Sequence, residues 1–229
     1  MKVLTTVGWS IMAASLLAMI TGHLGAGHLS WISDQISTYA AVAPQGYLIT
    51  ASIWLSALGL LVVGVVVTRH PILGGSHLAS IAMALSGAAS AGLMTLAHYK
   101  ETARSLTALK HSGFWAIRIQ SFHDAGLMIF FYSAILFVML VGVLMTALHK
   151  PVFDRALGTV VFALAPISYL LMTTRWPKYV GFSGVTTGVN ERAALFCLWL
   201  AAAIVFALAS RSTRAVGTQV DVQGAQGLR

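Results

Sequence analysis

The sequence predicts an all-α, polytopic membrane protein, a bundle of six transmembrane helices. Of its 229 residues 58% are hydrophobic and only 9% are charged, whereas soluble domains are about a quarter charged. Six apolar stretches have about the 20 residues that cross a bilayer, and none of them contains Asp, Glu, Lys, Arg or His. This composition excludes a soluble globular protein.

The six predicted spans form one transmembrane domain over residues 1–210, followed by a polar cytoplasmic tail at 211–229. The spans are predicted at 3–22, 47–68, 78–97, 125–148, 156–174 and 193–210. Because the basic residues are scattered between apolar runs, the net charge of +8 does not indicate a nucleic-acid partner. Membrane lipids, and a larger membrane complex in which the chain is an accessory subunit, are the predicted partners.

The charge distribution predicts that both termini lie in the cytoplasm. Lys2 precedes the first span, whereas the loop 23–46 contains no Lys or Arg, and cytoplasmic loops are enriched in these residues. An even number of spans then returns the C-terminus to the same side. We therefore expect an integral protein of the bacterial inner membrane.

On this topology the external loops collect the ionisable groups, which indicates a polar pocket at that face. The histidines expected there are His23, His28, His98, His111 and His123, and the carboxylates are Asp34, Glu101, Asp124 and Glu191. The alternative interpretation is that these groups simply occupy loops, as charges do in any membrane protein.

Two clusters supply the candidate ligand-binding residues of this pocket. The first lies in the loop after the first span and contains Asp34 and Ser37, whose alternative role is turn and capping chemistry. The second contains Arg175, Glu191 and Arg192, beside the fifth and sixth spans. An arginine at the membrane edge needs a partner, which Asp34, Asp124 or Glu191 could supply. A structural salt bridge is the alternative to a binding role.

A tentative metal site is predicted where the third span ends and the fourth begins. His98, His123 and Asp124 are expected at similar depth, and imidazole with carboxylate can bind zinc, copper or iron. Asp34, His28 or Glu191 could supply a further ligand. The alternative is that these histidines only form hydrogen bonds at the interface. Haem is disfavoured because His77 and His98 are about 31 Å apart along a helix.

Short motifs carry a resemblance to a known group of proteins. They are Trp31-Ile-Ser-Asp-Gln-Ile-Ser, Ala43-Pro-Gln-Gly46 and Gly188-Val-Asn-Glu-Arg192, with Leu198-Trp199 in the last span. The chain resembles a prokaryotic family of six-helix membrane proteins that has no assigned function. More distantly, the Ser-Asp loop is similar to that of Frag-type and autophagy-modulator membrane proteins. The resemblance implies six helices with both termini inside, and it brings no catalytic residues.

The sequence leaves three functional hypotheses. The first is a non-catalytic membrane protein whose external pocket binds a lipid, a small ligand or a partner subunit. The second is a membrane-embedded, metal-dependent hydrolase or redox protein in which His98, His123 and Asp124 hold the metal. The third is an ion-coupled transporter, which ranks last because no ionisable group is expected near the middle of the membrane.

Overall fold

The computed structural model describes residues 2–27, 29–32, 34–69, 113–147, 152–172 and 187–226, and six positions between 78 and 92. Its helices are α1 (Lys2–Leu24), α2 (Ile36–Val42), α3 (Gly46–Arg69), α4 (Gly113–Ala147), α5 (Val152–Met172) and α6 (Thr187–Gln226). Within these ranges all the regular secondary structure is helical. The predicted all-α class is confirmed over the described part of the chain.

Five helices of the described part are long and apolar enough to cross a membrane. They correspond to the first, second, fourth, fifth and sixth predicted spans. Of the third predicted span, six positions are described and all are helical. One of them, Ser86, is fully buried and donates a hydrogen bond to the carbonyl oxygen of Phe130 at 3.1 Å. The third predicted span as a whole, and with it the count of six, stays a prediction.

Helices α1 and α3 form an antiparallel pair, and the buried face of α1 repeats every seven residues. Its buried positions are Thr5, Gly8, Met12, Ser15, Met19 and Gly22. Alternating spacings of three and four residues keep one face of a helix against its neighbour. Small residues at such a face let two membrane helices approach closely. The space beside Gly22 is filled by the Ile49 side chain, and that beside Gly59 by Met12.

Three buried serines connect α1 and α3 through hydrogen bonds, and we call this group the serine seam: Ser15, Ser52 and Ser56. The Ser15 hydroxyl donates to the Ser52 carbonyl at 2.8 Å, and the Ser52 hydroxyl donates to the Ser15 carbonyl at 2.8 Å. The Ser15 and Ser56 hydroxyls lie 2.8 Å apart. Because all these groups bond within the protein, a polar cluster is tolerated among apolar helices.

Helices α4 and α5 form a second close pair, in which each helix contributes a glycine. Gly142 of α4 lies against the backbone of Phe162, and Gly158 of α5 lies against Met145. A side chain at either glycine would collide with the facing helix, so these residues set the short distance between the two helices.

Helix α6 packs against both pairs. Its Phe206 is fully buried beside Gly8 of α1, and the Trp199 indole donates to the Ser56 hydroxyl of α3 at 2.9 Å. On its other side, the Ser168 hydroxyl of α5 donates to the Ala194 carbonyl at 3.1 Å. Helix α6 therefore joins the α1–α3 pair to the α4–α5 pair.

Two helices extend well beyond the spans predicted from hydropathy. Helix α4 begins at Gly113, twelve residues before the predicted start. Helix α6 continues through the predicted tail to Gln226 and has 40 residues, about 60 Å of helix at 1.5 Å per residue. The additional residues of both helices are more polar than the predicted spans, and they remain helical although they lie outside the apolar segments. Hydropathy detects only the part of a helix that lies in hydrocarbon.

Candidate functional site

The candidate site lies where the end of α1 meets the start of α6. The short helix α2, in the loop between α1 and α3, packs beside this junction. We call the polar group at this junction the polar end and define it as His23, Asp34, Tyr39, Glu191 and Arg192.

Arg192 connects the elements of the polar end. Its Nη1 donates to the Asp34 carbonyl oxygen at 2.9 Å and to the Gly188 carbonyl oxygen at 2.7 Å. Its Nε donates to the His23 Nε2 at 3.0 Å, and its Nη2 lies 2.7 Å from the same ring nitrogen. One guanidinium thus ties the first helix, the loop after it and the last helix together.

These contacts indicate which nitrogen of His23 carries the proton. The ring Nδ1 lies 2.7 Å from the Met19 carbonyl oxygen, which can only accept, so Nδ1 is the donor. The Nε2 faces the Arg192 donors and must accept. His23 is therefore neutral, with its proton on Nδ1, and both ring nitrogens are occupied.

Tyr39 of α2 covers this pair. Its ring stacks on the imidazole of His23 with ring centroids 4.4 Å apart, and the Arg192 guanidinium carbon lies 4.8 Å from the Tyr39 ring centroid. Its hydroxyl donates to the Leu29 carbonyl at 3.0 Å. Burial raises the pKa of the Tyr39 phenol above its ordinary value, although the Arg192 charge opposes the shift. The phenol therefore stays a neutral donor.

Glu191 caps α2 from a distant part of the chain. The first helical amides of any helix lack partners within it, and Gln35, the residue before α2, provides no side-chain cap. The Glu191 Oε2 accepts the Ile36 amide hydrogen bond at 2.9 Å instead. A carboxylate at a helix N-terminus is favourable, so this contact fixes α2 against α6.

Asp34 stabilises the loop before α2 with both its side chain and its main chain. Its Oδ2 accepts from the Ser30 amide at 2.7 Å, and its amide donates to the Ser30 carbonyl at 2.8 Å. Its own carbonyl accepts from Arg192. The carboxylate of Asp34 thus acts in a turn, which is the capping role weighed in the sequence analysis.

Gly188 is the point of closest approach between α6 and this loop. A Cβ atom there would collide with the carbonyl oxygens of Asp34 and Ile32. The next residue, Val189, donates its amide to the Ile32 carbonyl at 3.0 Å. Because the facing atoms are backbone, they cannot move aside cheaply, and only glycine fits without displacing α6.

An open groove of about 530 Å³ runs between α1 and α6, and the polar end lies at its head. Its walls include Met19, Ile20, Trp31, Phe196 and Trp199, with His23 and Arg192 as polar groups. Its volume is in the range of small-molecule sites, which combine apolar walls with a few placed polar groups. The groove can therefore hold the apolar part of a molecule while its polar part meets Arg192.

The structure places the predicted ligand-binding residues as follows. Asp34, Glu191 and Arg192 come together at the polar end, and Ser37 is buried on α2, next to Ile36, whose amide Glu191 caps. Arg175 lies outside the described residues. The expected partner of Arg192 was a carboxylate, but its described hydrogen bonds end on two carbonyls and the His23 ring.

The side chains of the predicted metal site are not among those that the structure describes. His98 lies outside the described residues, and His123 and Asp124 belong to α4 at positions whose side chains are not described. Among the described residues no group of three His, Cys, Asp or Glu side chains could hold a metal ion. The metal site stays a prediction.

The sequence analysis did not pair His23 with Arg192, and it did not include Tyr39 among the candidate binding residues. A signal was present, since His23 is the first ionisable residue after the first predicted span and Arg192 is the last before the sixth. Two such residues at the same membrane face can meet if their helices are neighbours. That adjacency is a tertiary fact, and the two residues are 169 positions apart.

Comparisons with known proteins add no relative: neither a family model nor a curated protein nor a solved structure matches this chain.

Proposed function

We propose that this protein is a non-catalytic integral protein of the bacterial inner membrane that binds an amphipathic molecule of the bilayer in the groove between α1 and α6. The observation that supports this is the groove itself, apolar along its walls and headed by the His23–Arg192 pair. We further propose the six-span topology with both termini in the cytoplasm, so that the polar end faces outward.

The dimensions of the groove suit a molecule that lies along a helix. Arg192 and Trp199 both line it, and seven residues of α6 separate them, about 10 Å of helix. This is roughly two thirds of the depth of one leaflet, since the whole hydrocarbon core is about 30 Å thick. A chain entering from the bilayer would therefore rest on Phe196 and Trp199 with its polar end near Arg192.

The state of the polar side chains favours binding over catalysis. Within the described part of the chain, both nitrogens of His23 form hydrogen bonds. Glu191 and Asp34 each accept from a backbone amide, and the Tyr39 hydroxyl donates to a carbonyl. A general base needs an acceptor directed at the substrate, and these acceptors are directed at the protein.

The proposal is tested with a variant whose larger side chain fills the groove, by measuring whether the bound molecule is lost. The protein is purified in mild detergent, and molecules retained with it are counted by native mass spectrometry. Ala193→Trp places a large side chain in the groove wall, whereas Ala14→Trp places it on an exposed face of α1 away from the groove. We expect a retained amphipathic molecule in the wild type and in Ala14→Trp, and its loss in Ala193→Trp.

Other outcomes would contradict the proposal. Retained molecules that are unchanged by Ala193→Trp would place binding elsewhere. A stoichiometric protein that is released only by Ala193→Trp would make the groove a subunit interface, the accessory role weighed in the sequence analysis. Comparable thermal unfolding midpoints of the two variants in detergent are the control that both chains are folded.

A further inference from the structure

We propose that the bound molecule is an anionic phospholipid, whose phosphate-bearing headgroup is held by Arg192 while an acyl chain lies in the groove. This inference rests on the proposed function and adds the charge and the chemical class of the ligand. It follows from the hydrogen bonds of one guanidinium, from the way surrounding groups hold it in place and from the depth of Arg192 in the membrane.

Arg192 has one more N–H donor than its contacts with the described residues use. A guanidinium has five N–H donors. The described contacts use the Nε hydrogen and one Nη2 hydrogen on His23, and the two Nη1 hydrogens on carbonyl oxygens. This leaves the second Nη2 hydrogen, on a residue that lines the groove. The site thus offers a charged donor to a ligand.

The acceptors in these Arg192 hydrogen bonds are all neutral. They are two carbonyl oxygens and the imidazole of His23. The carboxylates of Glu191 and Asp34 act on the charge electrostatically, while their described hydrogen bonds go to backbone amides. A half-buried cation is stabilised most by an anion that also accepts its hydrogen bonds. An anionic ligand would add such a bond.

The guanidinium of Arg192 is held in place before a ligand binds. Neutral His23 accepts from two nitrogens of Arg192, and the Tyr39 ring lies against the guanidinium. These contacts, with the two carbonyls, hold the planar group in one orientation before any ligand arrives. A site that is already ordered loses less entropy when it binds.

The position of Arg192 along its apolar segment also fits a lipid headgroup. Arg192 lies in the first turn and a half of the apolar segment Gly188–Arg211, close to the boundary of the hydrocarbon, where phospholipid phosphates are found. Basic pockets between membrane helices bind anionic headgroups. The apolar wall below Arg192 matches an acyl chain attached to the same phosphate, which a free soluble anion lacks.

The experiment compares two lipids with identical chains on the delipidated, full-length protein. Dioleoyl phosphatidylglycerol is anionic and dioleoyl phosphatidylcholine is zwitterionic. Binding of each is titrated by native mass spectrometry. Both lipids carry a phosphate that can accept a hydrogen bond from Arg192, so the comparison isolates net charge, because the ammonium of choline cancels the charge of its phosphate. From the attraction of one basic side chain to an anionic lipid, we expect phosphatidylglycerol to bind about fivefold more tightly.

Substitutions test whether Arg192 causes the preference for phosphatidylglycerol. Arg192→Gln is expected to bring the ratio of the two affinities to about one, while Arg192→Lys retains part of the preference because the charge remains. The matched control is Arg211→Gln, at the opposite end of the same apolar segment, which should leave the ratio unchanged. Ala193→Trp should weaken both lipids.

The outcomes separate this inference from the proposed function. Equal affinities for the two lipids, both weakened by Ala193→Trp, would overturn the anionic headgroup and leave the groove as a binding site. Lipid binding that ignores Ala193→Trp would overturn both. Inorganic phosphate that competes as effectively as the lipid would assign the site to a soluble anion and overturn the phospholipid. If Arg192→Gln fails to fold, the wild-type ratio and its partial loss in Arg192→Lys decide.

Discussion

The serine seam and the polar end both place hydrogen-bonding groups between helices, but they differ in what those groups can do for a ligand. In the seam the hydroxyls of Ser15, Ser52 and Ser56 bond to each other and to carbonyls, and all three residues are fully buried. At the polar end a charged group lines an open groove. The serine seam therefore only holds helices together, whereas the polar end also exposes a charged side chain to the groove.

The largest effect is expected from a substitution that disrupts the polar end and leaves the serine seam intact. Gly188→Val would force a side chain against the carbonyls of Asp34 and Ile32, and overpacking of this kind destabilises by about 1–3 kcal/mol. We expect a lower thermal unfolding midpoint in detergent and loss of the molecule bound in the groove.

Gly27→Val is the matched control for this prediction. It lies at the same end of the bundle, and a Cβ atom there would meet nothing within 4 Å. If Gly27→Val were as destabilising as Gly188→Val, the close approach of α6 to the loop would not be the cause.

A smaller loss of stability is expected when the hydroxyl of Tyr39 is removed. Tyr39→Phe removes the hydrogen bond to the Leu29 carbonyl and should destabilise by about 1 kcal/mol. The wild type should also lose stability at high pH. Because the pKa of Tyr39 is raised by folding, the unfolded chain ionises first, so this contribution is present below the ordinary pKa of 10.0 and is lost as the pH rises above it.

Unfolding midpoints of the wild type and Tyr39→Phe, measured from neutral to alkaline pH, test this sign. The difference between the two proteins should shrink as the pH rises, since the phenylalanine side chain of the variant cannot ionise. Two parallel curves would mean that the phenol environment does not differ between the folded and unfolded chains.

The smallest expected effect concerns the seam. Ser15→Ala removes the hydroxyl that bonds to Ser52 and Ser56, and hydrogen bonds between membrane helices contribute about 0.6 kcal/mol on average. We expect a small decrease in the unfolding free energy measured by SDS titration, with lipid binding unchanged.

Ser133→Ala is the comparison for Ser15→Ala, because the described hydrogen bonds of Ser133 stay within its own helix. An equal loss in both variants would mean that the contact between helices adds nothing beyond a hydroxyl's local bond. A loss of lipid binding in Ser15→Ala would join the two regions into one functional unit.

The predicted spans agree with the helices where a helix lies wholly in the apolar segment. The span predicted at 47–68 is the helix Gly46–Arg69, because hydrophobic length alone decides that a segment can cross the bilayer. The prediction fell short for α2, whose seven residues carry no periodic signal. That helix depends on a cap from Glu191, 155 residues away from Ile36.

The candidate site could be predicted by residue type but not by partner. Glu191 and Arg192 were identifiable because an arginine at the membrane edge needs a partner, and Asp34 because it is a carboxylate among hydroxyl residues in the loop after the first span. The contact of Arg192 with the imidazole of His23 was not, since a neutral acceptor has no charge signature in a sequence. The groove was likewise invisible, because its walls are ordinary apolar residues of two helices.

The sequence by itself determined that this protein belongs in a membrane and which segments are apolar enough to cross it, because transfer of apolar side chains out of water depends on composition and length. The tertiary structure decided which helices are neighbours and therefore where Arg192 finds its partners. Hydrogen bonds are short and directional, so a site that joins residue 23 to residue 192 exists only once the helices have packed.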